Sequence, residues 1–308
     1  MRRALAILVA VAVFAPAASA GAAELDELLE QNREAAYTAE QAISCSTPDG
    51  VRDAVVRISQ SGGDITVASS VGDDVEVKSG DGDWTLSSHG GVVSSTAVES
   101  DEDEFEDLYR VEDLGETATL GRSAMAYRLV RDGVIRAELV FDDETGAMVA
   151  TTTFTENGET YCQRRFISFD PTDPGTDFET TPESEEIAPS QTVDTSLPEA
   201  ISGFERLDVY EDQLGFRFAY YSDGFFSFAV FETPAIVRLE GAGLYDLAGD
   251  EYRRAFSPGQ ATYAWEARSG GMALVGDLPP DLHDDILSAL PPPDTPNIFR
   301  RLWRSLFG

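Results

Sequence analysis

Basic residues are scarce in this chain. Only 22 of its 308 residues are lysine or arginine, Lys78 is the single lysine, and the formal net charge is −34. An acidic surface repels nucleic-acid phosphates and anionic lipid headgroups over about a Debye length, so nucleic-acid binding is disfavoured. Such acidity is typical of a salt-adapted source or a GC-rich genome. Selection for a basic partner is the alternative explanation.

Histidines are rarer still, with two in the chain, and their scarcity argues against the common metal sites. His89 and His283 lie far apart, and no close Cys/His spacing is present, so no metal site and no cofactor are predicted. We expect His89 in a turn and His283 on the polar side of a short helix. The sequence contains no GxSxG, HExxH, P-loop or GxGxxG motif, and its carboxylates are too many to single out a catalytic pair. These absences argue against an enzyme.

A long hydrophobic run is also missing. The apolar stretch from Ala4 to Phe14 is too short to span a bilayer, which takes about 20 residues. Arg2 and Arg3 precede it, and Ala18-Ser19-Ala20 follows as a small-residue cleavage site. Residues 1–20 are therefore predicted to be a signal peptide, with an uncleaved anchor as the alternative. The mature protein is expected to be exported, in the periplasm or at the cell-envelope exterior.

Cysteine is limited to one pair. Cys45 and Cys162 both lie in strand-like surroundings. An exported protein meets an oxidising compartment, in which a disulfide between them is allowed. Two buried free thiols are the alternative.

What the chain does contain is a series of alternating strands. From Gly121 to Phe169, apolar side chains recur at every second position, which is the period of a half-buried antiparallel meander. Three turn signals separate the runs: Arg131-Asp132-Gly133, Asp142-Asp143-Glu144-Thr145-Gly146 and Glu156-Asn157-Gly158. The second could bind Ca²⁺ through its carboxylates, but it lacks EF-hand spacing and a hairpin turn explains it fully.

Composition divides the mature chain into four parts. Residues 21–170 begin with an amphipathic helix and continue as antiparallel strands, which predicts a strongly curved sheet or incomplete barrel. Residues 171–196 are an acidic linker, predicted to be disordered. Residues 197–291 form a second, smaller β unit with one helix, Pro280 to Leu290. The overall fold class is mainly β, or α+β.

The last part, residues 292–308, is a basic amphipathic tail. Arginines stand between apolar residues at helical spacing: Arg300, Arg301, Trp303 and Arg304 carry this pattern. A peripheral membrane contact, docking on a partner, and folding back onto the protein's own acidic surface all fit it.

The mature chain resembles the RseB/MucB family of sigma-E regulators. The features that carry the resemblance follow one another in the order of the family: "LGR…YRL…DG…RAELVFDDETGAMVATTTF", then "LPEAISGFERLD", then "YYSDGFFSFAVFE", and last "YAWEARSGGMALVGDLPPDLHDDILSAL". The "YSDG" hairpin with its following strand is the most specific of them. Residues 45–100 depart from the family pattern.

The resemblance implies a half-open antiparallel β-barrel similar to the lipoprotein carriers LolA and LolB, with helices, followed by a smaller β domain. It implies a non-enzymatic protein that binds the extracytoplasmic part of a membrane anti-sigma factor, shields it from proteolysis in envelope stress signalling, and senses a lipid. A lipid or lipoprotein carrier and a structural envelope module are the alternatives.

Two sets of residues are candidates for these roles. The lipid cleft is assigned to apolar residues of the meander: Tyr127, Leu129, Leu139 and Phe141. Partner binding is assigned to the hairpin Tyr221, Ser222, Asp223, Gly224 and Phe225, provided that Tyr221 and Phe225 face away from the packed side of their sheet. The alternative is that both aromatic residues belong to the core.

Overall fold

Two antiparallel sheets account for most of the structure. The computed structural model describes residues 20–48, 50–61, 64–69, 75–78, 108–172, 195, 197–211, 217–233, 239, 242–257 and 260–294. Most of the predicted signal peptide and acidic linker, and the tail residues Arg300, Arg301, Trp303 and Arg304, lie outside these ranges, as does His89. Within the described ranges, no helix is both long and apolar enough to cross a membrane.

The first sheet has nine strands in the order β4-β3-β2-β1-β9-β8-β7-β6-β5. The strands are β1 Tyr37–Thr47, β2 Gly50–Ser61, β3 Asp64–Ser69, β4 Val75–Lys78, β5 Arg110–Thr119, β6 Arg122–Arg131, β7 Val134–Asp142, β8 Met148–Phe154 and β9 Thr160–Asp170. Consecutive strands are neighbours except β4 and β5, which form the two edges. The remaining pairing joins β1 to β9, so the chain returns to the middle of its own sheet.

Irregular pairing recurs through this sheet. The register shifts at Glu40/Gln41, Asp113/Gly115, Leu129/Val130, Val140/Phe141 and Thr153/Phe154. Each shift is a bulge or a similar irregularity, and bulges bend a strand and increase its local twist. Edges β4 and β5 do not pair with each other, so within the described strands the sheet stays open.

The second sheet has eight strands in the order β10-β11-β12-β13-β17-β16-β15-β14. The strands are β10 Ala200–Ile201, β11 Phe204–Glu211, β12 Arg217–Ser222, β13 Ser227–Thr233, β14 Gly243–Leu247, β15 Asp250–Ser257, β16 Gln260–Ala267 and β17 Gly270–Gly276. Helix α2, Pro280–Ala289, packs Ile286 and Leu287 into the main core of this sheet. The predicted fold class, a half-open antiparallel β unit followed by a β unit with one helix, is confirmed.

Helix α1, Ala20–Glu34, covers part of the first sheet. Leu25 is fully buried there, and Leu28 and Leu29 pack beside it. The C-terminal end of α1 is fixed by hydrogen bonds: the Met148 amide donates to Asn32 Oδ1 at 2.7 Å, and Gln60 Nε2 donates to the carbonyl oxygens of Asn32 and Arg33. The two bonds from Gln60 satisfy backbone carbonyl groups that a helix end leaves without a partner inside the helix.

His283 corrects one expectation. It does not lie on the polar side of α2 but is 2% exposed, with Nδ1 2.7 Å from the hydroxyl of Tyr263 and Nε2 3.0 Å from the carbonyl oxygen of Leu278. Burial lowers the pKa of His283 to about 4, although the hydrogen bond to Leu278 acts in the opposite direction. A neutral ring that donates through Nε2 and accepts from Tyr263 satisfies both contacts.

This burial predicts a pH dependence of stability. Because the pKa of His283 falls from 6.5 in the unfolded chain to about 4, protonation favours unfolding, and the contribution is complete above pH 6.5 and declines toward pH 4. We expect the wild type to lose roughly 3 kcal/mol relative to His283→Gln across that window, at about 1.36 kcal/mol per pKa unit. Chemical unfolding at several pH values measures this, and parallel curves for the two proteins would contradict it.

Cys45 and Cys162 form a disulfide in the structure. They lie directly opposite each other on β1 and β9, and each is 1% exposed. The bond joins residues 117 positions apart, so it closes a loop of most of the first sheet.

Loss of this bond is expected to destabilise the protein. In the chain-entropy model, closing a loop of this length contributes about 4–5 kcal/mol by restricting the unfolded chain, within a usual range of about 2–5 kcal/mol on removal. We expect the double variant Cys45→Ala/Cys162→Ala to unfold at lower denaturant concentration than the wild type. Dithiothreitol should destabilise the wild type and leave the double variant unchanged. An equal response of the two proteins would show that the bond is not formed in solution.

Candidate functional site

The residues assigned to a lipid cleft do lie together. Tyr127 and Leu129 of β6 and Leu139 and Phe141 of β7 belong to one buried cluster, and the Tyr127 and Phe141 rings meet edge to face at 6.1 Å. All four are 0% exposed, and Leu25 of α1 belongs to the same cluster. In this conformation, their surface is occupied by side chains of the protein itself.

The hairpin between β12 and β13 is also turned inward. Tyr221 is 0% exposed, its ring stacks on Phe228 at 5.0 Å, and its hydroxyl donates to the carbonyl oxygen of Pro198. Phe225 packs against the cores of both sheets and meets Tyr109 edge to face at 6.1 Å. The expectation that Tyr221 and Phe225 face away from the packed side is wrong. Tyr221 is fully buried and Phe225 is partly buried, because both aromatic rings bury apolar surface against the cores.

Asp223 connects this hairpin to the first sheet. Its Oδ1 accepts from the backbone amides of Phe225 and Phe226 at 3.1 and 2.8 Å, which fixes the turn. Its Oδ2 accepts from the Tyr109 hydroxyl at 2.7 Å and from Arg131 at 2.6 Å. Burial raises the pKa of Asp223, while these hydrogen bonds and the charge of Arg131 lower it. The carboxylate therefore has a buried but well-bonded position.

Two more ion pairs join the same two parts of the chain. Arg136 of β7 donates to Asp281 in the first turn of α2 at 2.9 Å, and Arg164 of β9 pairs with Asp277 after β17. Together with Arg131–Asp223 these make three pairs. The Asp223 side chain is 0% exposed, and the other five side chains are each at most 18% exposed. We call this set of contacts the seam: Tyr109, Arg131, Arg136 and Arg164 on one side, and Asp223, Phe225, Asp277 and Asp281 on the other.

The seam is incompletely satisfied. Arg136 Nη2, Asp277 Oδ1 and Asp281 Oδ1 are buried and have no hydrogen-bond partner among the protein atoms of the described part of the chain. Burial raises the pKa of Asp277, against the lowering effect of Arg164. Sequence reasoning identified only Asp223 among the charged residues of the seam, because arginines on alternating strands look like ordinary solvent-facing residues.

The acidic turn after β7 has a structural role. Asp142 is 1% exposed, and its carboxylate accepts from Arg122 at 2.6 and 3.0 Å and from the backbone and hydroxyl of Thr145. Burial by itself would raise the pKa of Asp142, but the bonds from Arg122 and Thr145 lower it below the usual value. The carboxylate oxygens are thus used by the hairpin turn itself.

Comparison with known proteins rests on structure. No family model matches the sequence, and no curated protein matches it. The crystal structure of MucB superposes with a TM-score of 0.53 at 17% identity, over 89% of this chain and 98% of MucB. The chain has the fold of MucB.

Two further solved structures contain MucB together with MucA. The Pseudomonas aeruginosa MucA/MucB complex matches with a TM-score of 0.49, and MucB in complex with MucA(peri) matches with 0.46, each at 17% identity over 89% of this chain. The matches cover 99% and 100% of the respective solved chains. The MucB crystal structure, with its TM-score of 0.53, confirms the family resemblance at the level of the fold.

The position of Asp223 in this MucB-like fold predicts a large effect of a small change. Asp223→Asn keeps the shape of the side chain but removes the charge that pairs with Arg131. Hydrogen bonds to charged groups contribute about 1.5–3 kcal/mol, and we expect a loss of stability of that size in denaturant unfolding.

Asp132→Asn is the matched control for this change. Its carboxylate lies 3.9 Å from the same arginine, but its side chain is 93% exposed, so we expect less than about 0.5 kcal/mol. Equal losses in the two variants would show that burial at the seam does not matter.

Proposed function

We propose that this protein is an exported, non-enzymatic regulator that binds the extracytoplasmic region of a membrane anti-sigma factor and modulates its proteolysis. The observation that carries the proposal is the MucB fold over 98% of the length of MucB, a protein that has been solved in complex with MucA(peri). The sequence features shared with the family support the same role. The predicted signal peptide supports an extracytoplasmic location.

The surface offered to a partner differs from the one expected from the sequence. With Asp223 and Phe225 in the seam and Tyr221 in the core of the second sheet, the closed molecule presents little of the β12–β13 hairpin. Partner binding at the hairpin therefore requires this contact to rearrange. The strongly acidic chain also favours a basic partner segment, because complementary charge accelerates encounter and is screened by salt.

Lipid sensing is the second part of the proposal. A continuous apolar surface exists at Tyr127, Leu129, Leu139 and Phe141, and α1 lies over it. Since the C-terminal end of α1 is hydrogen-bonded to β2 and β8, a lipid could reach this surface by displacing the N-terminal half of the helix, where Leu25 lies. Carriage of a lipid or lipoprotein uses the same surface and is the alternative function.

The experiment is a binding titration with a protection assay. Mature protein from Gly21 onward is titrated with the extracytoplasmic segment of an anti-sigma factor encoded beside it, at about 0.15 M salt. A scrambled segment of equal charge is the control for attraction to the acidic surface. We expect saturable binding of the native segment only, and slower cleavage of the bound segment by a site-specific protease.

The outcomes separate the candidate functions. Binding that an added acylated lipid reverses supports a lipid-sensing regulator, and binding that is insensitive to lipid leaves a regulator with another signal. Equal binding of the native and scrambled segments would reject the regulator. No binding of either segment, together with lipid found in the purified protein by mass spectrometry, would reject the regulator and favour the carrier.

A further inference from the structure

The contact between the two sheets depends on charge more than is usual for a protein interior. Three arginines of the first sheet each meet an aspartate of the second part of the chain, and Phe225 is the apolar member of the seam on the second side. Desolvating two charges costs several kcal/mol per ion, and their attraction offsets this only when geometry and hydrogen bonding are good. Arg136 Nη2, Asp277 Oδ1 and Asp281 Oδ1 have no hydrogen-bond partner among the described protein atoms, so hydrogen bonds within the protein offset only part of this cost.

Both sides of the seam carry a large excess of negative charge. Residues 21–170 contain 32 acidic and 11 basic side chains, and residues 197–294 contain 17 acidic and 6 basic ones. Like charge on two bodies opposes their association. The closed state is therefore a balance between long-range repulsion and short-range pairing.

Salt acts differently on the two opposing forces. The Debye length falls from about 30 Å at 0.01 M to about 8 Å at 0.15 M and about 3 Å at 1 M, so long-range repulsion is removed first. Buried pairs are screened much less, and the six side chains of the three pairs are at most 18% exposed. Adding salt thus weakens the repulsion and largely preserves the attraction.

We propose that the seam is a latch that closes as ionic strength rises. At low salt, repulsion between the two acidic parts opens it and exposes the β12–β13 hairpin. At high salt, the Arg131–Asp223, Arg136–Asp281 and Arg164–Asp277 pairs hold it closed. This is the reverse of an interface held by exposed ion pairs, which weakens when salt is added.

The test measures the separation of the two sheets in the full mature chain. Donor and acceptor dyes are attached at Asn157→Cys and Ser269→Cys, two exposed and uncharged positions in the turns before β9 and β17, with the native disulfide left intact. As NaCl rises from 0.01 to 1 M, we expect the efficiency of energy transfer to shift to the single value of the closed state. Most of this shift should be complete near 0.15 M. Hydrogen exchange of residues 219–229, measured in parallel, should slow as salt rises.

Variants separate the latch from general compaction of an acidic chain. Arg131→Met removes the partner of Asp223 and should keep hydrogen exchange of the hairpin fast at every salt concentration. Arg57→Met removes the same charge at an exposed pair with Glu40, whose atoms lie 3.8 Å apart, and should behave as the wild type. If circular dichroism shows that Arg131→Met is unfolded, Arg164→Met is used in its place.

Three results would overturn the latch. They are hairpin protection that falls with salt, protection that does not change between 0.01 and 1 M, and the same salt response in Arg131→Met and Arg57→Met. None of these measurements involves an anti-sigma factor, so failure of the latch is distinguishable from failure of the proposed function.

Discussion

An open antiparallel sheet can bury one face only if something outside the sheet covers it. In this protein, two elements cover the part of the first sheet that contains Tyr127 and Phe141. Helix α1 contributes Leu25, and the β12–β13 hairpin contributes Phe225, which packs on Tyr109. In this conformation, the open face of the first sheet is covered by the chain itself.

The cover provided by the hairpin is held by polar contacts. Asp223 fixes its own turn through one carboxylate oxygen and binds Tyr109 and Arg131 through the other. The same side chain therefore determines both the local shape of the hairpin and its attachment to the first sheet.

Sequence patterns predicted strands well where the turns had familiar chemistry. Asp132-Gly133 was recognised, and β6 and β7 follow as expected, with Asp132 and Gly133 both at positive φ. The same positive-φ backbone conformation occurs without an Asp or Asn at Leu120-Gly121, Ser202-Gly203 and Ala248-Gly249. The turns that join β5 to β6, β10 to β11 and β14 to β15 therefore lack the Asp-Gly or Asn-Gly signal that marks a hairpin in a sequence. The seam was beyond prediction, because no local pattern records which arginine meets which aspartate across two sheets.

The place of β1 in the first sheet determines when that sheet can be completed. β1 leaves the ribosome early, and one of its two neighbours, β9, is synthesised more than a hundred residues later, with Cys162 paired to Cys45. Until β9 appears, one edge of β1 has no partner, and Cys45 remains a reactive thiol. Such long-range pairing slows folding and leaves an edge open to other chains. The central strands of this sheet are therefore also the part whose pairing is completed last during biosynthesis.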